Sequence, residues 1–243
     1  MKSKILSINF LSLFCWGALF TLFSKADAEQ TYSFRITGWN VDIPDLYYQT
    51  GSEVISTPAR RRTLGKLHVY QSTSRELNLY EPTNDETKAP LIKASLNPKP
   101  QNNLILIWKN SAGNIDYTVL SDDPSSPAPG EVRFVNLAKD NLVLKCNHLD
   151  PFPLPPGKSR IVEPPKSHGV GVGVKVAQQA NDNESWELAL MSGIPVEPNE
   201  RVTAFLADPR KLALQPELEG KPKKKNKDTL TIFLIRDRVI LEH

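Results

Sequence analysis

Twenty prolines spread along a chain of 243 residues leave few windows long enough for a helix of three turns. What fills the intervals instead is a succession of short alternating or apolar runs. They are Tyr32 to Ile36, Leu46 to Tyr48, Lys66 to Tyr70, Glu76 to Tyr80, Leu91 to Leu96, Leu104 to Trp108 and Ile115 to Leu120. After mid-chain come Val132 to Asn136, Leu142 to Leu144, Ser159 to Val162, Val170 to Val176, Trp186 to Leu190, Val202 to Leu206, Thr229 to Ile235 and Val239 to Leu241. Turn residues punctuate these runs at the spacing of sandwiches and barrels. The expected fold class is all-β: an antiparallel immunoglobulin-like β-sandwich, built as two packed or tandem units.

Individual runs sharpen this expectation. Leu104-Ile105-Leu106-Ile107-Trp108 is continuous rather than alternating, which predicts a central strand covered on both faces. Asn110 to Asn114 is a hairpin turn into Ile115–Leu120. In Gly169-Val170-Gly171-Val172-Gly173-Val174 the absence of a following helix argues against a dinucleotide site. The alternation predicts a strand with one bare face, where another backbone packs closely. The stretch Gly130 to Cys146 holds two runs separated by Ala138-Lys139-Asp140-Asn141 and predicts a β-hairpin.

Residues 1–28 have the layout of an export signal. Lys2 and Lys4 precede an apolar stretch from Ile5 to Phe23, and Ala26-Asp27-Ala28 is a small-x-small cleavage site. Ser7, Asn9 and Ser12 within the apolar stretch favour cleavage over an uncleaved anchor. The expectation is a mature chain beginning at Glu29, in the periplasm or at the cell surface, with no membrane span after cleavage. Removing residues 1–28 takes Lys2, Lys4, Lys25 and Asp27 with them, and the formal charge falls from +3 to +1. Composition therefore gives no reason to expect nucleic acid as a partner. Cys146 alone survives cleavage, so no intrachain disulfide is available and the fold must hold by burial.

Ser121 to Gly130, with three prolines, is the predicted boundary between one domain over 29–125 and another over 126–243. The halves echo each other. Phe34-Arg35-Ile36-Thr37-Gly38 corresponds to Val132-Arg133-Phe134-Val135-Asn136, and Pro100–Leu106 to Pro198–Ala204. Asp122-Asp123-Pro124, Pro129–Leu137 and Leu154–Ser159 together resemble an uncharacterised family of exported bacterial β-sandwich proteins. The pattern is also distantly similar to the DUF4397-type immunoglobulin-like repeat. The resemblance implies the fold and export, and brings no catalytic residues with it.

The candidate chemistries are few. His68, His148, His168 and His243 show no metal-ligand spacing. Cys146-Asn147-His148 places a thiol near an imidazole, but a small thiol ending a core strand explains it more simply. Asp116, Asp122 and Asp123 are the best carboxylate group for calcium or for glycoside cleavage, although the Asp-Asp-Pro-Ser-Ser run is also ordinary turn chemistry. Lys221, Lys223, Lys224, Lys225 and Lys227 form the strongest charged run, a possible anion contact or a solvated loop, which Arg60-Arg61-Arg62 would enlarge if the fold brought it close. Tyr47 and Tyr48 must point to opposite faces of a strand. Trp39, Trp108 and Trp186 all suit core positions.

These readings describe an exported, non-catalytic binding or structural protein of the bacterial cell envelope, with no cofactor and no metal. Its partner would be an envelope protein or polysaccharide. The competing expectations are an envelope-glycan hydrolase using acidic residues and an acidic-polymer binder acting through Lys221–Lys227.

Overall fold

The computed structural model describes residues 29–82, 89–99, 101–123, 127–147, 149–164, 171–179, 185–208 and 230–238. The signal segment, the Lys221–Lys227 run, His148, His168, His243 and the Val239–Leu241 run lie outside them. The described residues contain sixteen strands and no helix. The first eight are β1 (Gln30–Gly38), β2 (Tyr47–Thr50), β3 (Glu53–Ser56), β4 (His68–Ser72), β5 (Glu76–Tyr80), β6 (Ile92–Ser95), β7 (Asn102–Lys109) and β8 (Ile115–Ser121). The second eight are β9 (Val132–Asn136), β10 (Leu142–Cys146), β11 (Phe152–Leu154), β12 (Ser159–Val162), β13 (Val172–Gln179), β14 (Trp186–Ile194), β15 (Glu200–Ala207) and β16 (Thr231–Arg238). No helix among the described residues is long and apolar enough to cross a membrane.

Four sheets of four strands result, with orders β4-β1-β7-β8, β3-β2-β5-β6, β12-β9-β15-β16 and β11-β10-β13-β14. The second pair of sheets repeats the first pair, strand for strand. Most ladders are antiparallel, but β1 runs parallel to β7, and β9 runs parallel to β15. Each half closes around its own core. Tyr32, Phe34, Ile36, Tyr48, Leu77, Leu79, Ile105 and Ile107 meet in the first. Val132, Phe134, Leu142, Leu144, Cys146, Val174, Val202 and Leu206 meet in the second.

A third apolar cluster joins the halves. Trp39, Leu104, Leu106, Val135, Phe205, Phe233 and Ile235 project from the outer faces of the two sheets that contain β1 and β9. Trp39 stacks on Phe233 at 5.1 Å between centroids, and Phe233 lies 5.9 Å from Phe205. The central strands of these two sheets are thus buried on both faces. That is why β7 reads as an unbroken apolar run: Ile105 and Ile107 serve the first core while Leu104 and Leu106 serve the seam.

The Gly130–Cys146 hairpin is not formed. β9 pairs with β12 and β15, whereas β10 pairs with β11 and β13 in the opposite sheet. The Ala138–Asn141 break is an arch that crosses the core, so Val132 and Phe134 face Leu142 and Leu144 instead of lying beside them. The buried amide of Asn136 secures the crossing. Its Nδ2 donates to the carbonyls of Asp140 and Leu154 at 2.9 Å each, and its Oδ1 accepts from the Ala138 N–H at 2.8 Å. The turn into β8 is formed as expected, with Asn110 Oδ1 accepting from the N–H groups of Ala112 and Asn114 and Gly113 at a φ of +87°. In β13, Val172, Val174 and Val176 fill the core. A Cβ at Gly171 would come within 2.8 Å of the Ile194 carbonyl oxygen, which is the close backbone approach the alternation predicts.

Candidate functional site

Equivalent positions in the two halves can be read from the ladders. The N–H of Trp39 donates to Ile107 as that of Leu137 does to Leu206; Gly38 donates to Arg60 as Asn136 does to Lys158. By this register Arg35 on β1 matches Arg133 on β9, both facing the seam between the halves. Register across β7–β8 and β15–β16 likewise matches Asp122, at the end of β8, with Asp237 on β16.

These matched groups converge. Arg35 Nε donates to Asp122 Oδ2 at 2.6 Å, and Arg35 Nη1 reaches Asp237 Oδ2 in the other half at 3.1 Å. Arg201, at the start of β15, shares the same Asp237 oxygen. Burial works against the Arg35 charge, but the hydrogen bond and the charge of Asp122, with Asp237 adding to them, hold its guanidinium above the ordinary value. Arg133 makes no such ion pair. Its Nη1 donates to the Ser121 carbonyl at 2.6 Å and its Nη2 to Thr203 Oγ1 at 3.2 Å, while its Nε has no protein partner. Burial lowers the Arg133 pKa, Asp122 opposes that, and Arg201 and Arg35 add to it, for a net shift downward. A cavity of about 20 Å³ lies among Arg35, Arg133, Arg201, Asp122, Asp237 and Thr203, walled by Leu64, Leu104, Pro127 and Ile235.

This arrangement separates the acidic residues grouped by the sequence. Asp116 and Asp122 stand six residues apart on an extended strand, which is roughly 20 Å. Asp116 accepts a hydrogen bond from Asn110 Nδ2 in the turn, and Asp122 is buried against Arg35. Cys146 is fully buried in the second core, where burial pushes its thiol up to about 11 despite an opposing effect of Arg160. A neutral thiol without solvent access is no nucleophile near neutral pH. His68 packs flat on Phe34 at 5.2 Å, and burial lowers its pKa, with Lys66 adding to the effect. Arg60, Arg61 and Arg62 are exposed, and their backbone is tied to the end of β1 and to Asp42.

The aromatic expectations divide. Tyr48 is buried against Phe34, His68 and Tyr70, while Tyr47, on the other face, is half-buried and stacks on Tyr80 at 5.6 Å. Trp39 is in the seam. Trp186 is not in any core: it is 48% exposed, with Leu188 at 58% and Met191 at 60%.

Those three residues belong to β14, the edge of its sheet. An irregularity in the β13–β14 register, where Val176 and Ala177 oppose Leu190 and Leu188, buries both Ala189 and Leu190 and turns Leu188 and Met191 outward together. Across the sheet, Ala177, Val143 and Pro153 continue the row from Leu188; Lys175 and Lys145 continue the row from Met191. The result is an apolar row beside a row carrying two exposed lysines, ending at the last strand of the sheet, where the Leu230 N–H donates to the Ala189 carbonyl at 3.4 Å. Sequence reasoning misses it because a bulge is invisible in the pattern and Trp186 reads as core. Set against known proteins, the chain matches no family model and no curated sequence.

Proposed function

We propose that the chain is an exported, non-catalytic binding protein of the bacterial cell envelope, with each half an immunoglobulin-like module. On this reading the β14 face takes an extended segment of an envelope protein. The observation that carries it is the alignment of the exposed Trp186, Leu188 and Met191 on the last strand of the sheet, in rows that continue to Lys145 and Lys175. A segment laid along β14 would place apolar side chains beside Leu188 and Met191, while Lys175 and Lys145, roughly 10 and 14 Å further across the sheet at about 4.8 Å per strand, would draw an acidic segment to this face by long-range attraction. The partner segment is therefore extended, apolar at alternate positions and acidic.

The test uses defined peptides and the fluorescence of Trp186. Extended Glu/Val peptides should bind and blue-shift its emission, and Lys/Val peptides of the same length should not. The triple substitution W186S/L188S/M191S should abolish binding and remove capture of any envelope protein by the purified chain, with little change in stability because all three side chains are exposed. Binding indifferent to peptide charge and to the triple substitution would refute the reading. Turnover of envelope glycan by the purified protein would replace it with the hydrolase. Retention on acidic polysaccharide that the triple substitution leaves intact and salt removes would move the function to the lysine run.

A further inference from the structure

We infer that the seam cavity is a binding site for one small monovalent anion of the halide class, held by Arg133 and bridging the two halves. Among the described residues the cluster carries three guanidinium groups, Arg35, Arg133 and Arg201, against two carboxylates, Asp122 and Asp237. Both carboxylates are engaged by Arg35, and one of them also by Arg201. Arg133 is the group left without an ion pair among those described, and it is also the most enclosed, at 7% exposure. Its two terminal nitrogens donate to neutral oxygens of Ser121 and Thr203; its Nε is buried and donates to no protein atom, and the Arg133 side chain lines the cavity.

Burying a cation without a counter-charge is strongly unfavourable, because it gives up hydration that neutral hydrogen-bond partners replace only in part. The matched position in the first half shows how the fold meets that cost, since Arg35 sits between two carboxylates. An anion beside Arg133 Nε does for the second half what Asp122 does for the first. Size selects the ligand. A volume of about 20 Å³ accommodates a single-atom ion or a water but not a tetrahedral oxyanion. Charge then separates the ion from the water, because water completes the hydrogen bond of Nε and leaves the Arg133 charge paired only with neutral oxygens. Since Arg133 belongs to the second half and its Nη1 bonds to Ser121 in the first, an anion there strengthens the contact between halves.

The experiment is thermal melting of the purified protein at fixed ionic strength, with gluconate exchanged stepwise for chloride or bromide. The melting temperature should rise with halide and saturate as a single-site curve, and Arg133→Gln should abolish the dependence while keeping the far-ultraviolet spectrum. Equal melting in chloride and gluconate, or a halide dependence that survives Arg133→Gln, would overturn the inference. Should that variant not fold, crystals of the unaltered protein grown in bromide decide the matter. An anomalous peak within hydrogen-bonding distance of Arg133 Nε is the expected result, and density for water alone there is the contrary one.

Discussion

Gly38 and Asn136 occupy the same place in the two halves, at the end of the first strand where the chain leaves one sheet for the other, and they solve the crossing in opposite ways. The first half removes the side chain. A Cβ at Gly38 would lie 2.1 Å from the Val41 carbonyl oxygen, so the loop folds back over bare backbone. The second half adds one, and the Asn136 amide holds two backbone groups of its arch and the Leu154 carbonyl of β11. Arg35 and Arg133 differ in the same spirit, one between two carboxylates and the other bonded to neutral oxygens. A repeated topology fixes where the strands go. It leaves each half free to satisfy its own backbone and its own charges.

The sharpest way to break this comparison is to exchange its terms. Gly38→Ala should destabilise by about 4 kcal/mol, more than ordinary overpacking, because the obstacle is backbone and not a side chain that can turn away. Asn136→Ala should cost about 3 kcal/mol by stranding two carbonyls and an N–H. Urea unfolding measures both; a Gly38→Ala cost under about 1 kcal/mol would mean that the loop relaxes and that the two crossings are not distinct solutions. Next in size, Asp122→Asn should cost about 3 kcal/mol or slightly less, since it deprives Arg35 of its nearest carboxylate and leaves a second guanidinium short of charge. In gluconate, Arg133→Met should cost at most about 1 kcal/mol, because it removes a buried cation along with two hydrogen bonds. Equal costs at Asp122 and Arg133 would show the cluster to act as one unit.

The smallest effect distinguishes the cores by pH. His68 in the first core has a lowered pKa, so the unfolded chain takes up its proton first, and stability falls as pH drops below about 6.5 toward the folded value. Cys146 in the second has a raised pKa, so the unfolded chain loses its proton first, and stability falls as pH climbs from about 9 to about 11. His68→Gln should flatten the acid limb alone and Cys146→Ala the alkaline limb alone, as read by melting temperature across pH.

Most strands are legible in the sequence because their burial alternates or saturates within a few residues. The exceptions have local causes. β3 is mostly exposed along its length, and β11 carries Pro153, tolerated because β11 is an edge strand. The match of Phe34–Gly38 with Val132–Asn136 holds in space, whereas that of Leu104 with Val202 is one residue out. Leu104 faces the seam and Val202 the second core, and the true counterpart of Leu104 is Thr203. A slip of one residue reverses every face, and only the ladder reveals it. The hairpin expected over Gly130–Cys146 fails for a related reason, since two apolar runs and a short break look the same whether the strands lie side by side or face to face. The seam charges are less legible still, as Arg35 and Asp237 are 202 residues apart. The one local trace is Arg133 itself, a charge inside a strand buried at every position.

The parallel pairing of β1 with β7 has a consequence for the order in which the molecule forms. The ladder from Ser33↔Asn102 to Gly38↔Ile107 ties the first strand to a segment made some seventy residues later. A chain produced from its N-terminus therefore holds β1, with its apolar Tyr32, Phe34 and Ile36 face, with only β4 available as a neighbour in its sheet until β7 arrives. Pairings this distant in sequence close slowly, because the loop entropy is lost before the contacts form. The second half repeats the delay between β9 and β15, and Arg35 gains its second carboxylate only with Asp237, on the last strand described. The first strand of each half thus gains its second neighbour only with that half's seventh strand, and the junction between the halves forms later still.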